Sequence, residues 1–146
     1  MNTTNQSVKQ PSRILVVEDN NLVAQTISFK LRGSGYEVAT AVDGSEAMAA
    51  VRKNKPDLIL LDIMFPDDFA NGWDGFSIMQ WLYRMDETRA IPIIIMTGSE
   101  DVKNEERAKS AGAAAFFRKP IDHDKLLSAI RALLDSTAPK PARMNP

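Results

Sequence analysis

Residues 56–62 read PDLILLD, in which four consecutive apolar residues are followed by a carboxylate, Asp62. Two further stretches have the same character, ILVV at 14–17 and IPIIIM at 91–96. Apolar residues at every position, rather than at every second one, are typical of strands buried on both faces of a parallel sheet. These three stretches therefore predict the centre of an α/β domain.

Five short apolar segments alternate along the chain with longer segments of helical spacing. In the first helical segment Val23, Ile27 and Leu31 recur every four residues, and Gly33 is the predicted stop. Five strands that are each followed by a helix predict a (βα)5 fold, with helices on both faces of one parallel sheet. The predicted strands are Ile14–Val17, Tyr36–Ala41, Leu58–Leu61, Ile91–Met96 and Ala114–Phe117.

Two later helical segments differ in apolar content. The segment Phe76–Glu87 carries more apolar residues than one buried face requires. Part of this surplus is expected to pack under the loop that precedes it, and part to form an exposed patch. The segment Glu100–Ser110 has little apolar surface beyond Val102 and Ala108, and is expected to be the least firmly held helix.

Composition excludes several classes of protein. A chain of 146 residues with 25% charged residues and net charge −1 fits one domain without a basic nucleic-acid-binding face. The absence of cysteine and the single histidine, His123, exclude disulfides, thiol nucleophiles and multi-histidine metal sites within the chain. The longest apolar run is too short to cross a membrane, and the N-terminal residues lack the apolar core of a signal peptide. A cytoplasmic protein is therefore expected.

Both ends of the chain read as tails. Residues 1–12 are polar without apolar periodicity, and residues 136–146 contain three prolines. We therefore expect a disordered N-terminal tail (1–12), one domain (13–135) and a flexible C-terminal tail (136–146).

Chemically active side chains follow four of the five predicted strands. Because ligands bind beyond the carboxyl ends of parallel strands, these side chains are expected to converge on one edge of the sheet. Any one of them alone would be an ordinary cap or turn residue, but the full set is hard to produce by chance. The set is Glu18-Asp19, Asp62, Thr97 and Lys119-Pro120.

Three crowded carboxylates repel one another unless a cation joins them. An all-oxygen set without histidine or cysteine favours a hard divalent ion, and Mg²⁺ fits best. Asp62, at the end of the central strand, is then the natural nucleophile towards phosphorus. Lys119 would pair with the carboxylates at rest and with phosphoryl oxygens afterwards.

The chain resembles the response-regulator receiver domains of two-component systems over residues 13–135. The segments ILVVEDN, PDLILLD, IPIIIMTG and the Lys-Pro after the fifth strand stand in the family's order. The resemblance implies a flavodoxin-like fold with strand order 2-1-3-4-5. It also implies that Asp62 accepts a phosphoryl group from a histidine kinase or histidine phosphotransfer protein.

The resemblance further implies individual site residues. Asp19 would bind Mg²⁺ directly and Glu18 through water, with Asp62 and the backbone carbonyl of Met64 as further ligands. Thr97 and Lys119 would contact the phosphoryl group. Phe116, together with Thr97, stands where the family has its switch residues, and the bond before Pro120 is expected to be cis.

One segment departs from the family pattern. Seven residues, Asp67–Trp73, stand between Pro66 and Asp74-Gly75, where receivers commonly have two. The insertion is either a tolerated surface loop or a lip that shields the site and selects the partner.

Three other functions compete with this interpretation. A haloacid-dehalogenase-type phosphatase needs a second acid two residues after the nucleophile, where Met64 stands. A flavin or dinucleotide binder needs a glycine- or hydroxyl-rich loop where residues 18–21 read EDNN. The remaining alternative is an interaction module on the same fold that works without phosphorylation.

No output domain fits within 146 residues, so a stand-alone receiver that signals by docking to a separate target protein is expected. It would be no enzyme beyond its own phosphorylation and dephosphorylation. The sequence names neither the kinase nor the target.

Overall fold

The computed structural model describes residues 10–63, 75–98 and 102–135. In this part of the chain five strands alternate with five helices. None of these helices is long and apolar enough to cross a membrane. The elements are β1 (Arg13–Val17), α1 (Asn21–Gly33), β2 (Glu37–Ala41), α2 (Gly44–Asn54), β3 (Leu58–Asp62), α3 (Gly75–Arg84), β4 (Ile93–Thr97), α4 (Val102–Ser110), β5 (Ala115–Arg118) and α5 (His123–Leu134).

All strand pairs are parallel, in the order β2-β1-β3-β4-β5. The three apolar stretches of the sequence form the three inner strands, and every residue of β3 and β4 is buried. This arrangement confirms the predicted flavodoxin-like α/β fold.

Successive strand residues point to opposite faces and build two separate cores. On one face, Leu15, Ile59 and Ile95 pack with side chains of α2, α3 and α4. On the other face, Val16 and Leu60 pack with side chains of α1 and α5. Helices therefore cover both faces, as predicted, and the carboxyl ends of the strands remain free to hold a site.

The end of α1 differs in detail from its prediction. Gly33 is the last residue of the helix, not the residue that stops it, and Ser34 is the C-cap. The chain reverses at Gly35, which has a φ of 97°. This left-handed conformation suits glycine because it has no Cβ. Two glycines two residues apart look alike in sequence, and only the backbone angle separates their roles.

Two further boundaries differ from their predictions by two or more residues. Strand β4 starts at Ile93, two residues later than predicted, since Pro92 has no N–H to donate to a neighbouring strand. Helix α3 ends at Arg84 rather than Glu87. The buried Thr88 hydroxyl donates to the carbonyl oxygen of Leu82 at 2.6 Å and satisfies an acceptor at that helix end.

The apolar surplus of α3 is mostly buried, so the expected exposed patch is not found on its described residues. Phe76 and Met79 are buried with Ile78, while Trp81 and Tyr83 are partly buried against the same core. Helix α3 thus packs with more than one face. The exposed large apolar residues in the described ranges lie elsewhere, at Leu22, Phe29 and Val42.

Ser28 lies inside the fold on the buried face of α1. It is 2% exposed, and its hydroxyl has no hydrogen-bond partner in the described part of the chain. An unsatisfied buried hydroxyl destabilises a fold by about 1 kcal/mol or more. Ser28→Ala is therefore expected to raise the free energy of unfolding by about 1 kcal/mol in urea denaturation.

Thr26→Ala on the same helix is the matched control. The Thr26 hydroxyl is exposed and already donates to the Leu22 carbonyl oxygen at 2.9 Å. This control measures the change in helix propensity without relief of a buried polar group. If Ser28→Ala stabilises the protein no more than Thr26→Ala does, the buried Ser28 hydroxyl does not destabilise the fold.

Candidate functional site

The register of the sheet brings the predicted site residues to one edge. Val17 pairs with Leu61, so Glu18 and Asp62 follow at the same level of neighbouring strands. Asp62 pairs with Met96, the residue before Thr97. Thr97 pairs with Arg118, the residue before Lys119. Four parallel strands therefore deliver three carboxylates, a hydroxyl and an ammonium to one place.

The turn after β1 separates two adjacent acids. The Glu18 backbone N–H donates to the Ala41 carbonyl oxygen at 2.9 Å, which continues the pairing with β2. Its carboxylate turns inward and accepts the Asn20 N–H on Oε2 at 3.0 Å. Glu18 is 1% exposed, whereas Asp19 is exposed at the surface of the site.

Asn20 fixes the direction in which α1 leaves this turn. Its side-chain oxygen accepts the Val23 N–H at 3.0 Å, which makes it the N-cap. Sequence reasoning assigned Asn20 no role. An asparagine directly before a helical period is a recognised N-cap signal that could have identified it.

Lys119 bridges the two buried carboxylates of the site, those of Glu18 and Asp62. Its Nζ lies 2.6 Å from Glu18 Oε1 and 3.0 Å from Asp62 Oδ2. Asp62 is 2% exposed, and the Lys119 side chain keeps 21% of its surface exposed. The backbone N–H of Lys119 donates to the Thr97 carbonyl oxygen at 2.8 Å, which ties the base of the side chain to β4.

Burial and the charges of neighbouring side chains shift the pKa values of Glu18, Asp19 and Lys119. Burial raises the pKa of the Glu18 carboxyl, and the neighbouring Asp62 charge adds to this effect, while Lys119 opposes it. Burial and the Glu18 charge also raise the pKa of Asp19. Burial lowers the pKa of Lys119, but its bonds to Glu18 and Asp62 outweigh this, so its pKa is raised overall. The ammonium therefore stays charged while the carboxylates lack full compensation.

The three acids form a group that suits a metal ion. One carboxylate oxygen from each of Glu18, Asp19 and Asp62 lies within 4.8 Å of the others. Glu18 Oε1 is fully buried, and its partner is the Lys119 ammonium, which Glu18 shares with Asp62. A surplus of negative charge and an oxygen-only donor set fit a hard divalent cation such as Mg²⁺.

The residues expected to act as a switch lie on β4 and β5. Thr97 is completely buried at the end of β4. Phe116 is partly buried against the core that faces α3 and α4, with the Arg118 guanidinium 5.6 Å from its ring centre. The peptide bond between Lys119 and Pro120 is cis, the isomer expected from the sequence.

Some expectations fall outside the described residues. Met64, whose carbonyl the resemblance assigns to the metal, is one of them, and so is the insertion Asp67–Trp73. Most of the two predicted tails also lies outside these ranges.

Sequence reasoning missed two contacts that hold α4. Glu105 pairs with Arg118 of β5 at 3.4 Å. The Arg107 guanidinium carbon lies 3.9 Å from the centre of the Phe76 ring on α3. Ala108 is the one buried side chain among those described on α4. Among the side chains described on α4, the contacts are thus largely polar and cation–π, and the local sequence gives no signal for them.

The parallel sheet, with carboxylates and a lysine gathered at the carboxyl ends of its strands, is typical of a signal-receiver domain. The chain belongs to the response regulator receiver domain family, whose family model matches residues 14–131. It is therefore a receiver of two-component signal transduction.

Known proteins of two architectures resemble the chain. It is 34% identical to the polar-differentiation response regulator DivK of Brucella anthropi, with 85% of this chain and 97% of DivK covered. It is also 34% identical to the DNA-binding dual master transcriptional regulator RpaA of Synechocystis, covering 86% of this chain but 50% of RpaA. The chain thus spans about half the length of RpaA.

A solved structure shares the fold. The chemotaxis response regulator CheY4 of Vibrio cholerae superposes with a TM-score of 0.74 at 27% identity. The match covers 85% of this chain and 99% of CheY4.

Proposed function

We propose that the protein accepts a phosphoryl group on Asp62 in a Mg²⁺-dependent reaction and changes conformation in response. The observation that carries this proposal is the packing of three carboxylates within 4.8 Å beside an ammonium 3.0 Å from Asp62. Family membership supports it independently. Beyond its own phosphorylation and dephosphorylation, the protein would catalyse no reaction.

The residues divide the chemistry between them. An Asp62 carboxylate oxygen attacks phosphorus, and the bond from phosphorus to the donor breaks, leaving an acyl phosphate on Asp62. Lys119 neutralises phosphoryl oxygens, since it already lies beside the acceptor. The Thr97 hydroxyl at the adjacent strand end would donate a hydrogen bond to a phosphoryl oxygen.

Glu18, Asp19 and Asp62 would hold the metal ion. A bound Mg²⁺ supplies positive charge that offsets the charge developing on the transferred group. Because burial raises the pKa values of Glu18 and Asp19, protons compete with the metal ion for these two carboxylates more strongly than for exposed ones. Metal affinity should therefore fall as the solution becomes more acidic.

The phosphoryl donor is proposed to be the phosphohistidine of a histidine kinase or phosphotransfer protein. Helix α1, which starts beside the site, offers two exposed apolar side chains seven residues apart on one face. Leu22 is 72% and Phe29 is 76% exposed. Such a stripe suits contact with a partner protein.

The output is proposed to pass through the surface formed by α4, β5 and α5. Movement of Thr97 towards a phosphoryl oxygen would open space for Phe116. Among the side chains described on α4, few are buried, so little resists a shift of this helix. The target would be a separate protein that docks on this surface.

The test uses Mg²⁺ with beryllofluoride, a mimic of an acyl phosphate. Together they are expected to raise the melting temperature, because a ligand that binds only the native state stabilises it, by about 2.7 kcal/mol at a hundred times its dissociation constant. Amide exchange should slow between residues 97 and 119. Asp19→Asn should lose most of this stabilisation.

Asp86→Asn is the matched control, since Asp86 is an exposed acid in a surface pair with Arg89. It should respond to Mg²⁺ and beryllofluoride as the wild type does. Equal stabilisation of wild type and Asp19→Asn would place the metal elsewhere. No response from the wild type would favour an interaction module that works without phosphorylation.

A further inference from the structure

Ile63, the residue after the proposed phosphoacceptor, is held from two sides. On one side its backbone N–H donates to the Met96 carbonyl oxygen of β4 at 3.2 Å. On the other side it lies against Gly75, the first residue of α3. Ile63 is 4% exposed and belongs to the core between the sheet and α3.

The contact with Gly75 leaves no room for a side chain. A Cβ on Gly75 would lie 2.5 Å from Ile63 Cα, 2.7 Å from its Cγ2 and 2.9 Å from its Cβ. Real Cβ atoms essentially never approach another atom within 3.0 Å. Because the nearest atom belongs to the backbone, a rotamer change of Ile63 cannot relieve the overlap. Either α3 or the backbone beside Asp62 must move.

We infer that Gly75 is a positioning residue that fixes the Asp62 carboxylate relative to Glu18 and Asp19. This inference rests on the proposed function. Gly75 and the Met96 carbonyl oxygen hold Ile63 on either side, and the peptide between Asp62 and Ile63 carries the backbone from which the Asp62 side chain extends. A shift of a few tenths of an ångström in this backbone changes the spacing of the three carboxylate oxygens. Substitution of residues that orient metal ligands without binding the metal typically lowers metal affinity about tenfold or more.

The test measures Mg²⁺ binding by isothermal titration calorimetry. Gly75→Ala is expected to weaken binding about tenfold. Two controls separate positioning from stability. Leu82→Ala removes a buried side chain of the same helix, seven residues after Gly75, and should lower stability but leave the Mg²⁺ affinity within about twofold. Gly33→Ala, with no atom within 4 Å of the added Cβ, should change neither.

A second pair of variants covers the case in which Gly75→Ala does not fold. Ile63→Ala removes Cγ2 and leaves only the overlap with the backbone and Cβ. Gly75→Ala added to Ile63→Ala should still weaken Mg²⁺ binding about tenfold relative to Ile63→Ala alone.

The outcomes separate this inference from the proposed function. Unchanged Mg²⁺ affinity in the Gly75 variants, with a wild type that binds Mg²⁺, would overturn the positioning role alone. A similar loss of Mg²⁺ affinity in Leu82→Ala would mean that the Gly75 variants weaken binding only because they destabilise the fold. A wild type that binds no Mg²⁺ would overturn the proposed function, and this inference with it.

Discussion

Asp62→Asn is expected to abolish phosphorylation by acetyl phosphate while the fold stays intact. Asparagine has nearly the shape of aspartate, but its amide is a very weak nucleophile towards phosphorus. The site offers no close substitute, because Glu18 is buried against Lys119 and Asp19 lies at the surface. The measurement is incorporation of radiolabelled phosphate, with circular dichroism to verify the fold.

Asp57→Asn is the matched control because Asp57 lies just before the same strand, at its opposite end. Its carboxylate accepts the Arg13 backbone N–H at 2.8 Å, far from the carboxylate group of the site. This variant should be phosphorylated like the wild type. Stable labelling of Asp62→Asn would remove Asp62 from the role of acceptor.

Lys119→Met is expected to destabilise the protein by about 3 kcal/mol at neutral pH without Mg²⁺. The substitution leaves Glu18 and Asp62 buried without their cation, and breaking such a pair from one side is strongly destabilising. Loss of an electrostatic partner to the phosphoryl group should also slow phosphorylation about a hundredfold. Urea unfolding and labelling rates measure the two effects.

The stability deficit should depend on pH and on metal. The pKa of Glu18 is already raised by burial, and loss of Lys119 raises it further. A carboxyl with a folded pKa above its unfolded value loses stability as pH rises through that interval, so the deficit should shrink in acid. Mg²⁺ should stabilise Lys119→Met more than wild type, since it replaces the missing positive charge.

Lys109→Met controls for the loss of a lysine. Lys109 forms an exposed pair with Glu105 at 3.3 Å, and exposed pairs contribute little. It should change stability by less than about 0.5 kcal/mol. If Lys119→Met is as stable as Lys109→Met at neutral pH, the Lys119 ammonium does not stabilise the fold by compensating the buried carboxylates.

The fold could be predicted from sequence because the inner strands leave little ambiguity. Residues 58–62 and 93–97 are apolar at nearly every position, and both segments are fully buried in the structure. The topology of a parallel sheet then places Asp62, Thr97 and Lys119 at one edge without any knowledge of side-chain contacts.

Features that depend on tertiary packing could not be predicted. Sequence reasoning could not assign burial to Glu18 rather than Asp19, since this depends on the turn that Asn20 stabilises. The apolar surplus of α3 suggested an exposed patch, because a helical period does not reveal how many sides of a helix are covered. Nor does a lone arginine on a polar helix indicate that Arg107 covers the Phe76 ring.

The central claim is that Asp62 becomes an acyl phosphate, and borohydride reduction tests it most directly. The protein is incubated with acetyl phosphate and Mg²⁺, treated with borohydride, digested and sequenced by mass spectrometry. The account predicts homoserine at position 62 in the wild type, and aspartate there when Mg²⁺ is replaced by a chelator. Unmodified aspartate at position 62 in the presence of donor and Mg²⁺, or homoserine at position 19 instead, would contradict it.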